Sequence, residues 1–233
     1  MAFKTAIIGL GIMGQRMLEH MTLHPEFVVD TIWDPDISAC QAAQKLVPNS
    51  VTASSPEDAM RNADVVYLAC PPVSRKAYAL AAAEQGQAVF LEKPLGINVS
   101  ESRELVKRLT AAGVPTAVNF TQATGHALTD VSLAVKGGEL GDLIGVDIIV
   151  TYSQWPRGWQ QAANWLRFSD EGGMTREVIS HFIFLSERIL GPLKLVWAFT
   201  DYPAEGNLCE TQVAARLVNE VGLPVTIMGS VGG

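Results

Sequence analysis

The chain has 233 residues, of which 48% are hydrophobic and 18% charged, with a formal net charge of −7. That length suits one large domain or two modest ones, the acidic balance without a basic cluster excludes a nucleic-acid footprint, and no apolar run is long enough to span a bilayer. Three widely spaced cysteines, Cys40, Cys70 and Cys209, exclude a disulfide framework and point to a reducing cytoplasm.

Lys4 to Ile8 read as a buried strand that runs into Gly9-Leu10-Gly11-Ile12-Met13-Gly14. Ile12, Met13, Met17, Leu18 and Met21 then recur at helical spacing. Glycines in this order permit a tight turn, let a pyrophosphate approach the backbone, and let helix and strand pack closely. The start of the helix offers N–H groups and the positive end of its dipole to an anion. A second apolar run, Phe27 to Trp33, ends at Asp34, twenty residues beyond Gly14, where an acid accepts hydrogen bonds from an adenosine ribose. Its charge repels a 2′-phosphate, so NAD is expected rather than NADP. Asp34 or Asp36 also suits the cap of a helix through Cys40, Ala43 and Leu46, and the two roles are compatible.

A short strand at Val51 comes next, then a helix start at Ser55-Pro56-Glu57-Asp58, a strand over 64–70, and a helix over 74–85 closed by Gly86. A strand over 88–91, a helix over 100–112 and a sixth strand over 114–120 complete an alternating pattern of parallel crossovers. Beyond Phe120 the rhythm changes. A helix is predicted over 126–135, an extended stretch over 143–154, an irregular Trp-rich segment, and a helix over 174–190. Three extended runs, 193–200, 211–218 and 224–229, are spaced as in an antiparallel sheet. The last stops in Gly-Ser-Val-Gly-Gly, an odd finish for a sheet domain, so the sequence is expected to be part of a longer chain.

Two groups of residues carry chemistry. Glu92-Lys93-Pro94 ends the fifth strand on the edge that holds the glycine turn, where open parallel sheets bind ligands. A cation at Lys93 suits a substrate hydroxyl and its developing alkoxide, and an ordinary surface lysine fits the same spacing. Glu177 and His181 lie four apart on a predicted helix and share a face, after Glu171-Gly172-Gly173. The imidazole suits proton transfer near neutral pH, with the carboxylate to orient it. A surface ion pair, a core histidine or two metal ligands fit the pair as well, although no third ligand stands out and no metal is expected. Trp155, Trp159 and Trp165, with Gln154, Arg157 and Arg167, suit the floor of a sugar site, or core or oligomer contacts.

Together the GLGIMG turn, Asp34-Pro35-Asp36, Ala69-Cys70-Pro71-Pro72, Glu92-Lys93-Pro94 and Gly172-Gly173…Glu177…His181 resemble the Gfo/Idh/MocA oxidoreductases. The resemblance implies a Rossmann domain over 1–120, a doubly wound parallel sheet. It implies an α/β domain over 121–233 with an open, mostly antiparallel sheet that forms dimer or tetramer contacts. It further implies hydride transfer between NAD and a sugar, polyol or related hydroxy compound. Gly9, Gly11, Ile12, Met13, Gly14, Asp34, Cys70, Pro71, Pro72, Glu92 and Lys93 would then line the cofactor. Lys93 would orient the hydroxyl, His181 would take its proton beside Glu177, and Asn119, Trp165 and Arg167 would also meet the substrate. Three departures bear on substrate identity: Glu177 for the usual aspartate, Glu171 for a third glycine, and Asn119-Phe120-Thr121-Gln122 where many members carry an arginine. A non-catalytic NAD(P)-binding regulator, or an imine or enone reductase, is the alternative on the same scaffold.

Overall fold

The apolar run at the N-terminus forms β1 (Phe3–Ile8), a central strand covered on both sides: Ala6, Ile7 and Ile8 are completely buried. The computed structural model describes residues 2–204 and 206–232, with Ala123 as backbone alone; Gly233, at the end of the last extended run, lies outside the described residues. The chain divides into two compact units, Met1–Asn119 and Phe120–Gly233.

In the first unit, β1 is followed by α1 (Ile12–Leu23), β2 (Phe27–Trp33), α2 (Ile37–Leu46), β3 (Val51–Thr52), α3 (Pro56–Met60), β4 (Val65–Leu68), α4 (Pro72–Glu84), β5 (Ala88–Glu92), α5 (Val99–Ala112) and β6 (Thr116–Asn119). Among the described residues the strands make one six-stranded sheet in the order β3-β2-β1-β4-β5-β6, with every pairing parallel. Side chains alternate along a strand, so β1 feeds two cores. Ile7 packs with Leu18, Met21, Cys40 and Ala43 under α1 and α2. Ala6 and Ile8 pack with Met60, Ala79, Ala82, Leu105 and Leu109 under α3, α4 and α5. Fully buried side chains such as Met60 and Leu68 contribute about 1.5–3 kcal/mol each. The strand order reverses between β1 and β4, which makes the carboxyl edge there the switch point for a ligand.

Local chemistry sets the ends of these elements. Asp36 caps α2 by accepting from the Ser38 N–H, and the Ser38 hydroxyl and amide hold its carboxyl below the usual carboxylate range. Ser55 caps α3 with Pro56 next to it, Asn98 caps α5, and Gly113 ends α5 in the left-handed conformation. Helix α4 starts at Pro72, earlier than its alanine spacing implies, because proline suits a first helical position. β4 stops at Leu68 and leaves Cys70 just beyond the strand.

The second unit contains α6 (His126–Gly137), β7 (Val146–Tyr152), 3-10 turns at Gly158–Gln160 and Asn164–Arg167, a π-helical turn at Thr175–Ile179, α7 (Ser180–Leu190), β8 (Leu193–Asp201), β9 (Gln212–Asn219) and β10 (Pro224–Val231). The sheet runs β7-β10-β9-β8, with β8, β9 and β10 antiparallel and β7 parallel to β10. One face packs Val150, Val213, Ala215, Leu217, Val225 and Ile227 against Met174, Val178 and Ile179. Gly229 lets the π-turn approach, since a Cβ there would lie 2.8 Å from Met174 Cε and Val213 Cγ1. On the other face Phe199, Ala214, Met228 and Ile149 line up across all four strands, and Phe199, Met228 and Ile149 are exposed. The helix expected over 174–190 begins as a π-turn, so Glu177 lies in the wide turn and His181 in α7.

Candidate functional site

The glycine turn is held together by close backbone approaches. Gly9 has φ +92, and a Cβ on it would lie 2.6 Å from the Cys70 nitrogen. A Cβ on Gly14 would lie 1.9 Å from the Gly9 carbonyl oxygen, so α1 packs on the turn only without one. Gly11 differs: it is exposed, a Cβ there would meet open space, and no side chain caps α1. Gly11, Ile12 and Met13 therefore head the helix beside a clear approach, which fits the pyrophosphate of a dinucleotide. The Asp34 carboxylate accepts from the Leu10 N–H at 2.6 Å and from the Asp36 N–H at 2.8 Å. Asp34 thus braces the turn, and each oxygen keeps a second lone pair for a ribose hydroxyl. Capping of α2 falls to Asp36.

At the carboxyl edge of β4 and β5, Cys70 and Pro72 are buried, Pro71 is exposed and Lys93 is half-buried. The Glu92 carboxylate, 3% exposed, accepts from Asn119 Nδ2 at 2.6 Å and from the Tyr67 hydroxyl. Burial, then the adjacent carboxylate, pushes the Tyr67 phenol up. Glu92 and Asn119, expected at cofactor and substrate respectively, are thus brought together. The buried Arg75 of α4 donates to the carbonyls of Cys70, Glu92 and Pro94. Burial pulls its guanidinium down and pushes the Cys70 thiol up. Tyr67 and Arg75 escape a sequence reading that looks for exposed chemistry. The available signal for Arg75 was its place on the stripe of α4 that continues through Ala79 and Ala82.

The second unit holds the other candidates. A Cβ on Gly172 would lie 2.5 Å from Leu166 Cα, and one on Gly173, with φ +104, 2.5 Å from Glu210 Oε2. The buried Glu210 accepts from the Thr175 N–H at 2.6 Å and so caps the π-turn. Glu177 Oε1 accepts from Gln160 Nε2 at 2.9 Å and lies 3.8 Å from Arg157 Nη2. Arg157 in turn donates from Nε to Gln160 Oε1 at 2.7 Å, its guanidinium 4.7 Å from the Trp159 ring centroid and 5.2 Å from that of Tyr152. His181 is buried on α7, edge-on to Phe120 with ring centroids 5.5 Å apart. Trp165 and Arg167 share one 3-10 turn, and Arg167 donates to Gln161 Oε1 at 2.7 Å. The Trp-rich segment thus gathers Arg157 and Gln160 around Glu177. Gln160 was missed because nothing in its local spacing marks it. Among the described residues no group of three or more His, Cys, Asp or Glu gathers to hold a metal ion, and no helix is long and apolar enough to cross a membrane.

A family profile described as oxidoreductase family, NAD-binding Rossmann fold, matches residues 3–120. The inositol 2-dehydrogenase of Rhodococcus erythropolis (strain PR4 / NBRC 100887) is 28% identical over 163 residues, covering 68% of this chain and 47% of that protein. The chain thus spans just under half the length of this curated relative. The WlbA dehydrogenase from Bordetella pertussis, solved in complex with NADH and UDP-GlcNAcA, matches with a TM-score of 0.88 at 24% identity, over 99% of this chain and 67% of that one. The scyllo-inositol dehydrogenase from Lactobacillus casei, with bound NAD(H) and scyllo-inositol, matches with a TM-score of 0.85 at 16% identity, over 99% and 70%. At these identities the two structures carry a likeness of fold.

Proposed function

The chain belongs to the Gfo/Idh/MocA oxidoreductase family, and on that premise we propose that it transfers a hydride between NAD and a sugar, polyol or related hydroxy compound. The observation that carries the proposal is the turn at the head of α1, tight at Gly9 and Gly14, open at Gly11 and braced by Asp34. Residues 1–120 bind the dinucleotide through this turn, with Cys70, Pro71, Pro72 and Glu92 lining the site. Residues 121–233 meet the substrate through Trp165, Arg167, Glu177 and His181. Bound NAD supplies the nicotinamide that takes up the hydride.

The chain's own residues handle the hydroxyl. Lys93 donates a hydrogen bond to its oxygen and stabilises negative charge there. His181 takes the hydroxyl proton on a ring nitrogen, and Glu177, held by Gln160 and Arg157, favours the protonated ring. The inositols and the nucleotide sugar named with the relatives support a cyclic polyol or sugar as substrate. The charge of Asp34 supports NAD over NADP. The exposed row of Phe199, Met228 and Ile149 supports a homo-oligomer through the second sheet, and three free thiols support a cytoplasmic location.

Nicotinamide absorbance, followed with NAD and then NADP across inositols, aldoses and sugar acids, tests the proposal. Turnover with one substrate class, lost in Lys93→Met and in His181→Ala, is the expected result. Turnover that survives both substitutions overturns the assignment. A non-catalytic dinucleotide-binding regulator is the second reading, favoured by Glu177, one methylene longer than the usual aspartate. It predicts NADH binding with silence across the panel.

A further inference from the structure

Arg75 is 2% exposed, on the face of α4 that packs into the core with Ala79 and Ala82. Burying a guanidinium is costly, and an apolar side chain would fill the same space without that cost. Its hydrogen bonds show where the charge is used. Nη1 donates to the Glu92 carbonyl at 2.6 Å and to the Pro94 carbonyl, and Nη2 donates to the Cys70 carbonyl at 2.5 Å. The planar fork therefore ties the segment after β4 to the segment after β5. Two of the three carbonyls belong to the residues on either side of Lys93. The peptide before Lys93 and the one after Pro94 are thus held from within the core, by donors whose mutual angles are rigid.

We propose that Arg75 is a positioning residue for Lys93: by holding the Glu92 and Pro94 carbonyls it sets the direction in which the Lys93 side chain leaves the backbone. The inference rests on the assignment of Lys93 to the substrate hydroxyl. A lysine at position 75 keeps the charge but offers one compact ammonium in place of the fork, so it cannot hold all three carbonyls in the same geometry. Misplacement of an orienting group by about 1 Å costs on the order of 100-fold in rate.

The intact protein tests this in a double-mutant cycle of Arg75→Lys, Arg75→Met and Lys93→Met, with kcat, KM and NADH affinity measured for each. Arg75→Lys is expected to lower kcat by roughly 10- to 100-fold, with NADH affinity changed far less, and to add nothing to the kcat loss in a Lys93→Met background. Competitive acetylation of the protein without substrate gives a second readout, in which the Lys93 rate alone changes several-fold among the lysines. This arm uses Arg75→Lys, which serves where Arg75→Met does not fold. An Arg75→Lys loss that adds in full to that of Lys93→Met, or an unchanged Lys93 acetylation rate, overturns the positioning role alone. Full turnover in Lys93→Met overturns the lysine assignment and this inference together.

Discussion

In the first unit the candidate site is largely backbone: the turn around Gly9, Gly11 and Gly14, helix N–H groups, and carbonyls tied by Arg75, with the Asp34 and Lys93 side chains beside them. In the second it is made of side chains: Glu177 held by Gln160 and Arg157, with His181 one turn along. The difference follows from the ligands each half suits. A pyrophosphate is recognised by several donors at close range, which an uncovered helix start presents. A hydroxyl that must lose a proton needs a titratable group held by neighbours. Backbone sites therefore fail through sterics, and side-chain sites through chemistry.

The largest effect should come from Gly14→Val. Its Cβ would sit 1.9 Å from a carbonyl oxygen, so a loss of more than about 4 kcal/mol in thermal or denaturant unfolding is expected, with no NADH binding. A melt close to that of the unsubstituted protein would break the steric half of the comparison. His181→Ala should lower kcat by about 10²–10⁴-fold while NADH still binds in a fluorescence titration. An equal loss of NADH affinity would show the two halves are not separable by chemistry.

Asp34→Ala removes a charged acceptor from the Leu10 N–H and, on the proposed reading, from the ribose, about 1.5–3 kcal/mol. Calorimetry should therefore show NADH affinity lower by roughly 10- to 100-fold and a narrower gap to NADPH. Gln160→Leu leaves Glu177 with Arg157 as its remaining anchor from this segment and should reduce kcat about tenfold, with an unfolding cost of about 1–3 kcal/mol from the partners it abandons. The smallest effect concerns the thiols. Burial, then Glu210, pushes Cys209 up to about 11, so at pH 8 only about one part in a thousand is thiolate. Native labelling by iodoacetamide should be slow and should accelerate only on unfolding.

Much of the first unit was legible because its signals are local. Ser55 and Gly86 mark helix ends by their own hydrogen-bonding and conformational preferences, and the glycine spacing marks the turn. Asp34 was legible as the acid that ends the second strand, but its hold on the Leu10 N–H joins residues from two strands' ends. In the second unit the extended runs were legible from the turn residues between them, whereas the parallel pairing of β7 with β10 was not, because register depends on which edges meet in space. The helix that carries Glu177 and His181 read as uniform. Its π-turn packs against Gly229 and is capped by Glu210, neither of which is near it in sequence.

The sequence by itself determined the parallel α/β half, the glycine turn with the acid that follows it, and the candidacy of Lys93, Glu177 and His181. These depend on periodicity, on backbone freedom and on side-chain chemistry, all carried by short stretches of chain. Tertiary structure alone decided that Glu92 faces Asn119 and Tyr67, that Gln160 and Arg157 hold Glu177, and that Arg75 reaches the carbonyls around Lys93. Each of those contacts joins separated segments, and a buried polar group takes whichever partner the packed core brings within hydrogen-bonding distance.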